Sequence, residues 1–340
     1  MMQHAEREIL MPVQLCDPKG QLNPAAIGFA RKPIIESNLT KNFMRKKKWN
    51  YWCMFGEEVL FSVTVSHFDY AAHCSVYFLH YETQRFFEKT VIVPVARKLH
   101  MPDLVSGSVQ FHHAEMNIQL LHIQNETHIT VSIPDFDNET LVADLHVMHP
   151  EEDDTLNVVI PWSRQLFQHT AKHHSMPVKG FVKIGEKRYD LHEDESFAVL
   201  DFGRGVWPRE TVWNWGMASQ MAGHHRIGLN LGGKWTDGTG MTENAVFVDG
   251  KMTKISEDVI FDYDPSNYKK RWTIHTKFSD TVQLTFTPFF GREANTNMRL
   301  IRSEIHQLVG YYNGRIRLDN GKFLPIQQLL GTIEEHKAKW

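Results

Sequence analysis

Three carboxylic acids in the second half of the chain have neighbours that could turn one of them into a catalytic acid. Asp201 begins the stretch DFGRGVWPRETVWNWG, and Asp237 and Glu243 lie in the glycine-rich stretch GLNLGGKWTDGTGMTENAVFVDGKMTKI, residues 228–255. Desolvation among aromatic rings raises the pKa of a carboxyl group, which can then protonate an alkene. We therefore predict Asp201, Asp237 and Glu243 as candidate catalytic residues.

Aromatic and polar side chains crowd the same two stretches. On a strand, Trp213 and Trp215 share one face while Asn214 points to the other. A few polar groups among aromatic walls are typical of a small-molecule site at the mouth of a barrel. The predicted ligand-binding residues are Arg204, Trp207, Trp213, Asn214, Trp215, Asn230, Lys234, Trp235 and Asn244. Core packing of tryptophan and tight turns at glycine account for the same residues without a ligand, so both interpretations stay open.

A nucleotide-binding loop is excluded by the residues around these glycines. Residues 228–234 satisfy the first seven positions of the P-loop pattern, but Trp235 stands where a magnesium-binding Ser or Thr is required. The residues that follow lead through turns into a strand, whereas a P-loop opens a helix.

Other catalytic and metal signatures are also missing from the sequence. Neither HExxH nor GxSxG occurs. Adjacent pairs among the 20 histidines place their side chains on opposite faces of a strand. His146 could share a strand face with a neighbour, but the sequence specifies no set of three or four ligands. No metal and no cofactor is therefore predicted.

The composition is that of a globular protein without a strong global charge. The 340 residues carry a formal net charge of −3, so nucleic-acid binding is not expected. Three cysteines without a CxxC pair, no signal peptide and no long apolar span predict a reduced, cytoplasmic protein. The basic and aromatic residues 45–52 form a solvated strand entry or make weak peripheral contact with acidic lipid. The oligomeric state is not determined by the sequence.

Alternating apolar and polar residues dominate the chain and predict an all-β fold. The clearest strands are residues 58–67, 73–82, 86–93, 116–123 and 128–133. Asp249-Gly250 and Asn313-Gly314 each lie between alternating runs and predict hairpins. Residues 166–180 look irregular by comparison.

Strand candidates are distributed about evenly over two halves of the chain, which predicts two closed β-barrels without exposed edges. The expected domains are residues 1–194 and 195–340. Helical spacing is scarce. The one clear case follows Pro325, where Ile326, Leu329, Leu330 and Ile333 predict a short C-terminal helix at about residues 325–338.

Several short stretches together resemble one family over nearly the whole chain. They are LCDPKGQLNPAAIGFARKP, KKWNYW, LNVVIPWSRQLFQHTAKH, DFGRGVWP, VWNWG, GLNLGGKWTDGTGMTENA and EEHKAKW. The combination resembles the family catalogued as domain of unknown function 2804. That family is more distantly similar to the group of AttH and carotenoid 1,2-hydratase, which includes hydroxyneurosporene synthase-like proteins.

This resemblance implies two tandem lipocalin-like barrels and a channel for a hydrophobic ligand. In the hydratase group, a stretch of the form acid-His-Asn-aromatic-Gly supplies the proposed proton donor. The matching residues 212–216 read VWNWG, so Val212 stands at the position of the acid. Valine cannot donate a proton. The acid would therefore come from Asp201, Asp237 or Glu243.

Three functions fit these features. The first is an enzyme that protonates an isoprenoid-like or other apolar molecule for hydration, isomerisation or cyclisation, with tryptophan faces stabilising a carbocation. The second is a non-catalytic protein that binds a lipid or other hydrophobic metabolite in the same channel. The third is carbohydrate recognition or hydrolysis, which would require two carboxylates at a fixed separation.

Overall fold

The computed structural model describes residues 5–94, 99–298 and 301–339, and the side chains of all of these except 297, 298 and 301. In this part of the chain, the backbone forms 24 strands and a single turn of 3-10 helix, Pro24–Ala26. Strands β1 (Val13–Gln14) and β3 (Ile35–Glu36) form a small parallel pair near the N-terminus. All the other strands belong to two large sheets.

The first sheet contains thirteen strands in the order β7-β6-β5-β4-β15-β13-β11-β10-β9-β8, with β12, β14 and β2 pairing at its margins. These strands are β2 (Phe29–Ala30), β4 (Lys46–Phe55), β5 (Val59–His67), β6 (Ala71–His80), β7 (Phe86–Pro94), β8 (Val109–His113), β9 (Met116–Ile123), β10 (Glu126–Phe136), β11 (Glu139–Met148), β12 (Leu156–Pro161), β13 (Phe167–Ile184), β14 (Lys187–Leu191) and β15 (Phe197–Val206).

The second sheet contains nine strands in the order β19-β18-β17-β16-β24-β23-β22-β21-β20. These strands are β16 (Glu210–Ala222), β17 (His225–Gly233), β18 (Ala245–Val248), β19 (Lys251–Lys254), β20 (Val259–Asp262), β21 (Trp272–Thr276), β22 (Val282–Met298), β23 (Ile301–Arg317) and β24 (Phe323–Lys339).

Both sheets follow the same antiparallel plan. A meander of four strands runs outward, and a second series returns until its last strand pairs with the first, β15 with β4 and β24 with β16. Each sheet curls into a half barrel, so the predicted all-β fold of two tandem lipocalin-like units is confirmed. Strand β15 completes the first sheet, and the change of sheet therefore falls between Val206 and Glu210. The predicted domain boundary at residues 194 and 195 precedes this strand and stays a prediction about folding units.

Apolar side chains fill three layers. The first sheet wraps around a core that includes Phe61 and Ile129, and the second around a core that includes Trp272. A third layer lies between the sheets, where Val199 of the first packs in one cluster with Met217 of the second. The outer faces of the two units therefore pack against each other and form the surroundings of the site described below.

Most of the basic stretch 45–52 lies in strand β4, and two of its lysines form ion pairs within the protein. Lys46 lies 3.5 Å from Asp69, and Lys48 lies 3.0 Å from Asp103. Contact of this stretch with acidic lipid stays a prediction. Over the described residues, no helix is long and apolar enough to cross a membrane.

The predicted C-terminal helix is wrong, because residues 323–339 form strand β24. A β-bulge reproduces the helical spacing: Tyr312 pairs with Leu329 and Gly314 with Ile326, so one residue of β23 opposes two of β24. The extra residue, Gln328, adopts a positive φ of 50°. Because of this extra residue, Ile326 and Leu329, which are three residues apart, are both buried on a strand.

The predicted hairpin at Asn313-Gly314 is also wrong, whereas Asp249-Gly250 does join β18 to β19. Asn313 lies inside strand β23 opposite the bulge, and its side chain accepts a hydrogen bond from the backbone N–H of Gln328 at 3.0 Å. The turn-forming residue types here support a bulge instead of a chain reversal.

We predict that Gln328→Val destabilises the protein by about 1–2 kcal/mol, because a β-branched side chain is strained at positive φ. The matched control is Gln327→Val at the neighbouring exposed glutamine, which is not among the positive-φ residues and should be tolerated. Chemical denaturation of both variants measures the difference. Equal costs at the two positions would contradict the bulge and agree with a helix.

Candidate functional site

A cavity of about 490 Å³ lies between the two sheets. Its walls come from the face of each sheet that points away from that sheet's own core. Aromatic side chains form much of the wall, including Trp49, Tyr51, Trp207, Trp213, Trp215 and Trp235. The site is therefore shared by the two units, and not placed at the mouth of one barrel as the sequence suggested.

Two rows of cross-strand neighbours form opposite walls of the cavity. In the first sheet, the row runs through directly paired residues of six strands: Lys172, Asp201, Tyr51, Thr64, Ser75 and Thr90. In the second sheet, the row is Trp215, Glu334, Gln307 and Arg292. The register of the strands thus fixes which polar groups face one another.

Lys172 lies at the centre of a buried ionic cluster. Its ammonium is 2.9 Å from Asp201 and 3.1 Å from Glu243, and it sits 4.2 Å above the ring of Trp215. Burial lowers the pKa of Lys172, but the two carboxylates raise it by more, so its pKa lies above the ordinary value. The residue is therefore a permanent cation between two acids.

The two acids of this cluster are held further by indole N–H groups. Trp49 donates to Asp201 at 3.1 Å, and Trp235 donates to Glu243 at 2.7 Å. Burial raises the pKa of Glu243, while the ammonium of Lys172 and the indole of Trp235 oppose this rise. With a cation at 3.1 Å, Glu243 serves as a counter-ion of Lys172.

Glycines in both stretches, 201–216 and 228–255, make this arrangement sterically possible. A Cβ atom at Gly232 would overlap the carboxylate of Glu243, and one at Gly203 would overlap the ring of Trp49. Glycine therefore permits the close approach of an acid and an indole to the backbone.

Glu334 is a buried acid of the cavity wall that forms no ion pair among the described residues. Its two carboxyl oxygens accept hydrogen bonds from Trp213 at 3.1 Å and from Gln307 at 3.0 Å. Burial raises the pKa of Glu334 to about 7, against the lowering effect of Trp213, Arg292, Lys172 and Gln307. A substantial fraction of Glu334 is therefore protonated at neutral pH and faces the aromatic cavity.

The adjacent residue, Glu335, lies in the opposite environment because neighbouring side chains on a strand point to opposite faces. It accepts hydrogen bonds from Tyr263 and Tyr268 and pairs with Lys234 at 2.9 Å. Burial alone would raise the pKa of Glu335, but these hydrogen bonds outweigh it and lower the pKa to about 2. The two neighbouring glutamates thus differ widely in acidity.

The cavity contains a second set of polar groups on strands β6, β7, β22, β23 and β24. Arg292 donates from Nε to Glu88 at 3.0 Å and stacks over Tyr77, 4.8 Å from the ring centre. His336 shares a hydrogen bond of 2.7 Å with Ser303, and burial lowers the pKa of His336 to about 3. This imidazole is therefore neutral and contributes no charge.

The structure brings the two predicted stretches together. Trp207 and Trp235 stack with ring centres 5.2 Å apart, and Asp201 and Glu243 share Lys172. Trp213 and Trp215 face the cavity, whereas Asn214, on the other face of the strand, does not line it. Roles for the cavity-facing members of this set stay predictions.

Two predicted site residues, Asp237 and Lys234, are exposed at the surface outside the cavity. Asp237 is exposed on the loop after β17, where it accepts a hydrogen bond from the backbone N–H of Lys234. Partial desolvation in the loop and the nearby Asp258 raise the pKa of Asp237. The residue does not line the cavity. Lys234 extends to Glu335 and Tyr263 on the far face of strand β24.

The remaining predicted polar residues do not line the cavity and hold the backbone around it. Arg204 donates to the carbonyls of Pro102, Trp49 and Gly203 and to the side chain of Asn50. Asn214 donates to the carbonyl of Glu334, and Asn230 accepts from Trp215 and donates to the carbonyl of Glu243. Asn244 accepts from the N–H of Gly232. The bonds to the carbonyls of Trp49, Glu334 and Glu243 and to the indole of Trp215 fix wall residues, which is a positioning role.

Sequence reasoning missed Lys172 and Glu334. Lys172 lies in the segment that looked irregular, which is the long strand β13, and Glu334 lies in the segment predicted as a helix. The available signal for Glu334 was its place in EEHKAKW, one of the stretches that carried the family resemblance.

Similarity to known proteins agrees with this architecture. The sequence model of the family described as Domain of unknown function (DUF2804) matches residues 6–340, which confirms the predicted family. No curated protein matches the sequence significantly.

Similar folds occur among solved structures. CghA with Sch210972 has a TM-score of 0.52 and 12% identity, covering 86% of this chain and 88% of that one. Kievitone hydratase from Nectria haematococca has a TM-score of 0.46 and 8% identity, with coverages of 86% and 88%. A putative AttH from Nitrosomonas europaea has a TM-score of 0.44 and 9% identity, with coverages of 88% and 94%. The first of these, at 12% identity, shows a shared fold alone.

We predict that Glu334 makes the protein less stable as the pH rises from 4.5 to about 7. In this range the folded state retains a proton that the unfolded state has lost, so this contribution to the free energy of unfolding falls by about 3 kcal/mol in total. Glu334→Gln removes the effect. The stability of the variant relative to the wild type should therefore increase across this range and level off above it.

The control for this measurement is Glu335→Gln. The pKa of Glu335 is lowered, so its stabilising contribution is present above the unfolded pKa and is lost as the pH falls towards 2. Denaturation curves over a pH series measure both variants. A stability difference between Glu334→Gln and wild type that stays flat from 4.5 to 7 would show that Glu334 is ionised throughout.

We also predict that Lys172→Met destabilises the protein by about 3–5 kcal/mol, because it leaves Asp201 and Glu243 buried without their cation. Lys234→Met is the control, since Lys234 forms a partly exposed ion pair with Glu335 and should cost at most about 1 kcal/mol. Denaturant midpoints compare the two. Similar losses would contradict the central position of Lys172.

Proposed function

This chain belongs to the DUF2804 family, and we propose that it is an enzyme that protonates a small, mainly apolar molecule in the cavity between its sheets. The observation that carries the proposal is Glu334, a carboxyl group with a pKa raised to about 7 that faces a cavity lined by tryptophans. A general acid works best when its pKa lies near the working pH. Glu334 replaces Asp201, Asp237 and Glu243 as the proposed proton donor.

The proposed reaction begins with transfer of the Glu334 proton to an alkene carbon of the substrate. The π electrons form the new C–H bond, and a carbocation and the Glu334 carboxylate remain. Trp213 and Gln307 already donate to this carboxyl group, and such hydrogen bonds strengthen when their acceptor becomes charged. The donors therefore stabilise the conjugate base as it forms.

In the second half of the reaction, a proton returns to the Glu334 carboxylate. Either water adds to the cation and releases a proton, which gives hydration, or a neighbouring C–H bond loses its proton and forms a new alkene, which gives isomerisation. If a second alkene of the substrate first attacks the cation and forms a ring bond, the same loss of a proton from the new cation gives cyclisation. Aromatic rings stabilise the cation in each case. Trp213, which donates a hydrogen bond to Glu334, is the proposed ring for the cation.

The fixed ions supply orientation. Lys172 with its two carboxylates, and Arg292 with Glu88, are charged groups of the cavity wall that hydrogen-bond to oxygen atoms of a substrate without changing their own charge. A wall that combines aromatic rings with a few fixed charges fits a substrate with an apolar body and a few polar substituents. The buried, free cysteines Cys16, Cys53 and Cys74 support a reducing compartment, and a cytoplasmic location is part of the proposal.

The other candidate functions have less support. Carbohydrate hydrolysis needs one protonated and one ionised carboxyl group flanking the bond. Asp201 and Glu243 instead bind one ammonium ion. Binding without catalysis needs the same cavity but does not need an acid with a raised pKa.

We predict that the protein catalyses exchange between solvent and an apolar metabolite. The protein is incubated with an organic extract of its source organism in D2O enriched in 18O, and products are analysed by mass spectrometry. Uptake of deuterium with 18O indicates hydration, and uptake of deuterium alone indicates isomerisation or cyclisation. Glu334→Gln should abolish the uptake by removing the transferable proton.

The matched control is Glu335→Gln, since Glu335 lies next to Glu334 but on the opposite face of the strand and outside the cavity. It should retain the uptake seen with the wild type. Deuterium uptake that survives Glu334→Gln would refute the proposed proton donor. Absence of isotope uptake, together with a metabolite retained by the protein and recovered from it by solvent extraction, would favour binding without catalysis.

A further inference from the structure

A cluster of histidine and acidic side chains lies on the first sheet, away from the cavity. In the β10–β11 hairpin, His128 and His146 are directly paired, and Asp144 lies two residues before His146 on the same face. The alternate residues of this hairpin, such as Ile129 and Leu145, belong to the core of the first sheet. The cluster therefore projects from the outer face.

The geometry of this cluster points to a metal site. We propose that Nε2 of His128, Nε2 of His146 and a carboxylate oxygen of Asp144 bind one divalent transition-metal ion, most simply Zn²⁺. Two imidazoles and one carboxylate form a ligand set typical of zinc sites that keep a further position for water. Among the described residues, this is the group of three such side chains that comes close enough to hold an ion.

The distances are compatible with small movements of the side chains. The candidate ligand atoms all lie within 4.8 Å of one another. Asp144 Oδ1 is 2.7 Å from Nε2 of His128 and 3.5 Å from Nε2 of His146. Ligand bonds of about 2.0–2.2 Å around a tetrahedral ion require ligand atoms roughly 3.4 Å apart. The Asp144–His128 distance has to open by a fraction of an ångström, and the Asp144–His146 distance already fits.

The two imidazole rings lie side by side, and each must rotate to turn its in-plane nitrogen lone pair towards a shared ion. They stack with centres 4.3 Å apart and an angle of 10° between their planes. Their strands are joined by backbone hydrogen bonds, so the cross-strand register fixes the proximity of the two rings. The sequence did not reveal the set, because His128 and His146 are brought together only by the pairing of the two strands.

A fourth residue, Glu126, orients His146, one of the proposed ligands. Glu126 lies 2.6 Å from Nδ1 of His146, which leaves Nε2 of that ring free to point towards Asp144. A carboxylate that fixes the orientation of a ligating imidazole is a recurrent feature of zinc sites. An ordinary ion pair between one histidine and one acid needs no such second carboxylate.

Charge and exposure also suit a bound cation. Glu126 and Asp144 supply two negative charges, and Lys179, which pairs with His146 on strand β13, lies 3.2 Å from Glu193. The side chains of His128, Asp144 and His146 are 28%, 43% and 38% exposed. Water can therefore occupy the remaining positions around the ion, and the ion can enter directly from solvent.

The test uses the full-length protein after treatment with EDTA. Calorimetric titration with Zn²⁺ should show one ion per chain with a Kd of about 1 μM or lower. Co²⁺ bound at the same site should give the visible absorption of a low-coordinate ion with imidazole ligands. Mg²⁺ should not compete, because it prefers oxygen ligands in an octahedral arrangement.

Variants separate this site from general binding to histidine. His128→Gln with His146→Gln should weaken Zn²⁺ binding at least about 100-fold, and Glu126→Gln, which removes only the orienting charge, about 10-fold. Asp144→Asn removes a ligand charge with little change of shape and should also weaken binding. His275→Gln is the matched control, since His275 is a half-exposed strand histidine that lies 3.1 Å from a single acid, Asp262.

The proposal is overturned if the wild type fails to bind Zn²⁺. It is also overturned if the double histidine variant binds as tightly as the wild type, or if His275→Gln weakens binding as much as the ligand variants do. Loss of binding in the ligand variants together with unchanged binding in His275→Gln assigns the ion to the β10–β11 hairpin.

Discussion

The ammonium of Lys172 is the constraint on which the arrangement of the two sheets depends. It comes from strand β13 of the first sheet and is neutralised by Asp201 of the same sheet and Glu243 of the loop before β18. Removing one charged partner would leave an uncompensated charge in a buried place, which is costly. The cluster therefore links the relative position of the two units to the electrostatics of their shared cavity.

This constraint also assigns different roles to the acids of the cavity. Asp201 and Glu243 act as counter-ions of Lys172, whereas Glu334 is held by the neutral donors Trp213 and Gln307 and retains its proton near neutral pH. Because side chains alternate between the two faces of the strand, Glu335 lies on the opposite face from Glu334. Its tyrosine and lysine neighbours lower its pKa to about 2. One strand thus presents a carboxyl group with a raised pKa to one face and a fixed anion to the other.

Much of the fold could be predicted, because alternation with a period of two reports directly on a strand with one buried face. The runs that became β5, β6, β7, β9 and β10 were clear for this reason, and so was the shared face of Trp213 and Trp215. The prediction of strands failed where a bulge, or burial of both faces, disturbed the alternation of apolar and polar residues. Around Gln328 the bulge imitates a helix, and along β13 nearly continuous burial conceals the strand.

The sequence by itself determined the all-β class, the family and the concentration of tryptophans and acids in residues 201–244, since these depend on local pattern and residue type. Only the tertiary structure decided which acids meet a cation, which one has a pKa raised towards neutrality and which histidines face one another. Lys172 and Glu243 are distant in the chain, as are Trp213 and Glu334, and His128 meets His146 only across a hairpin. Such pairs are set by strand register and by sheet packing. The pKa of a buried group depends on those neighbours, so its chemistry becomes visible only when the fold is known.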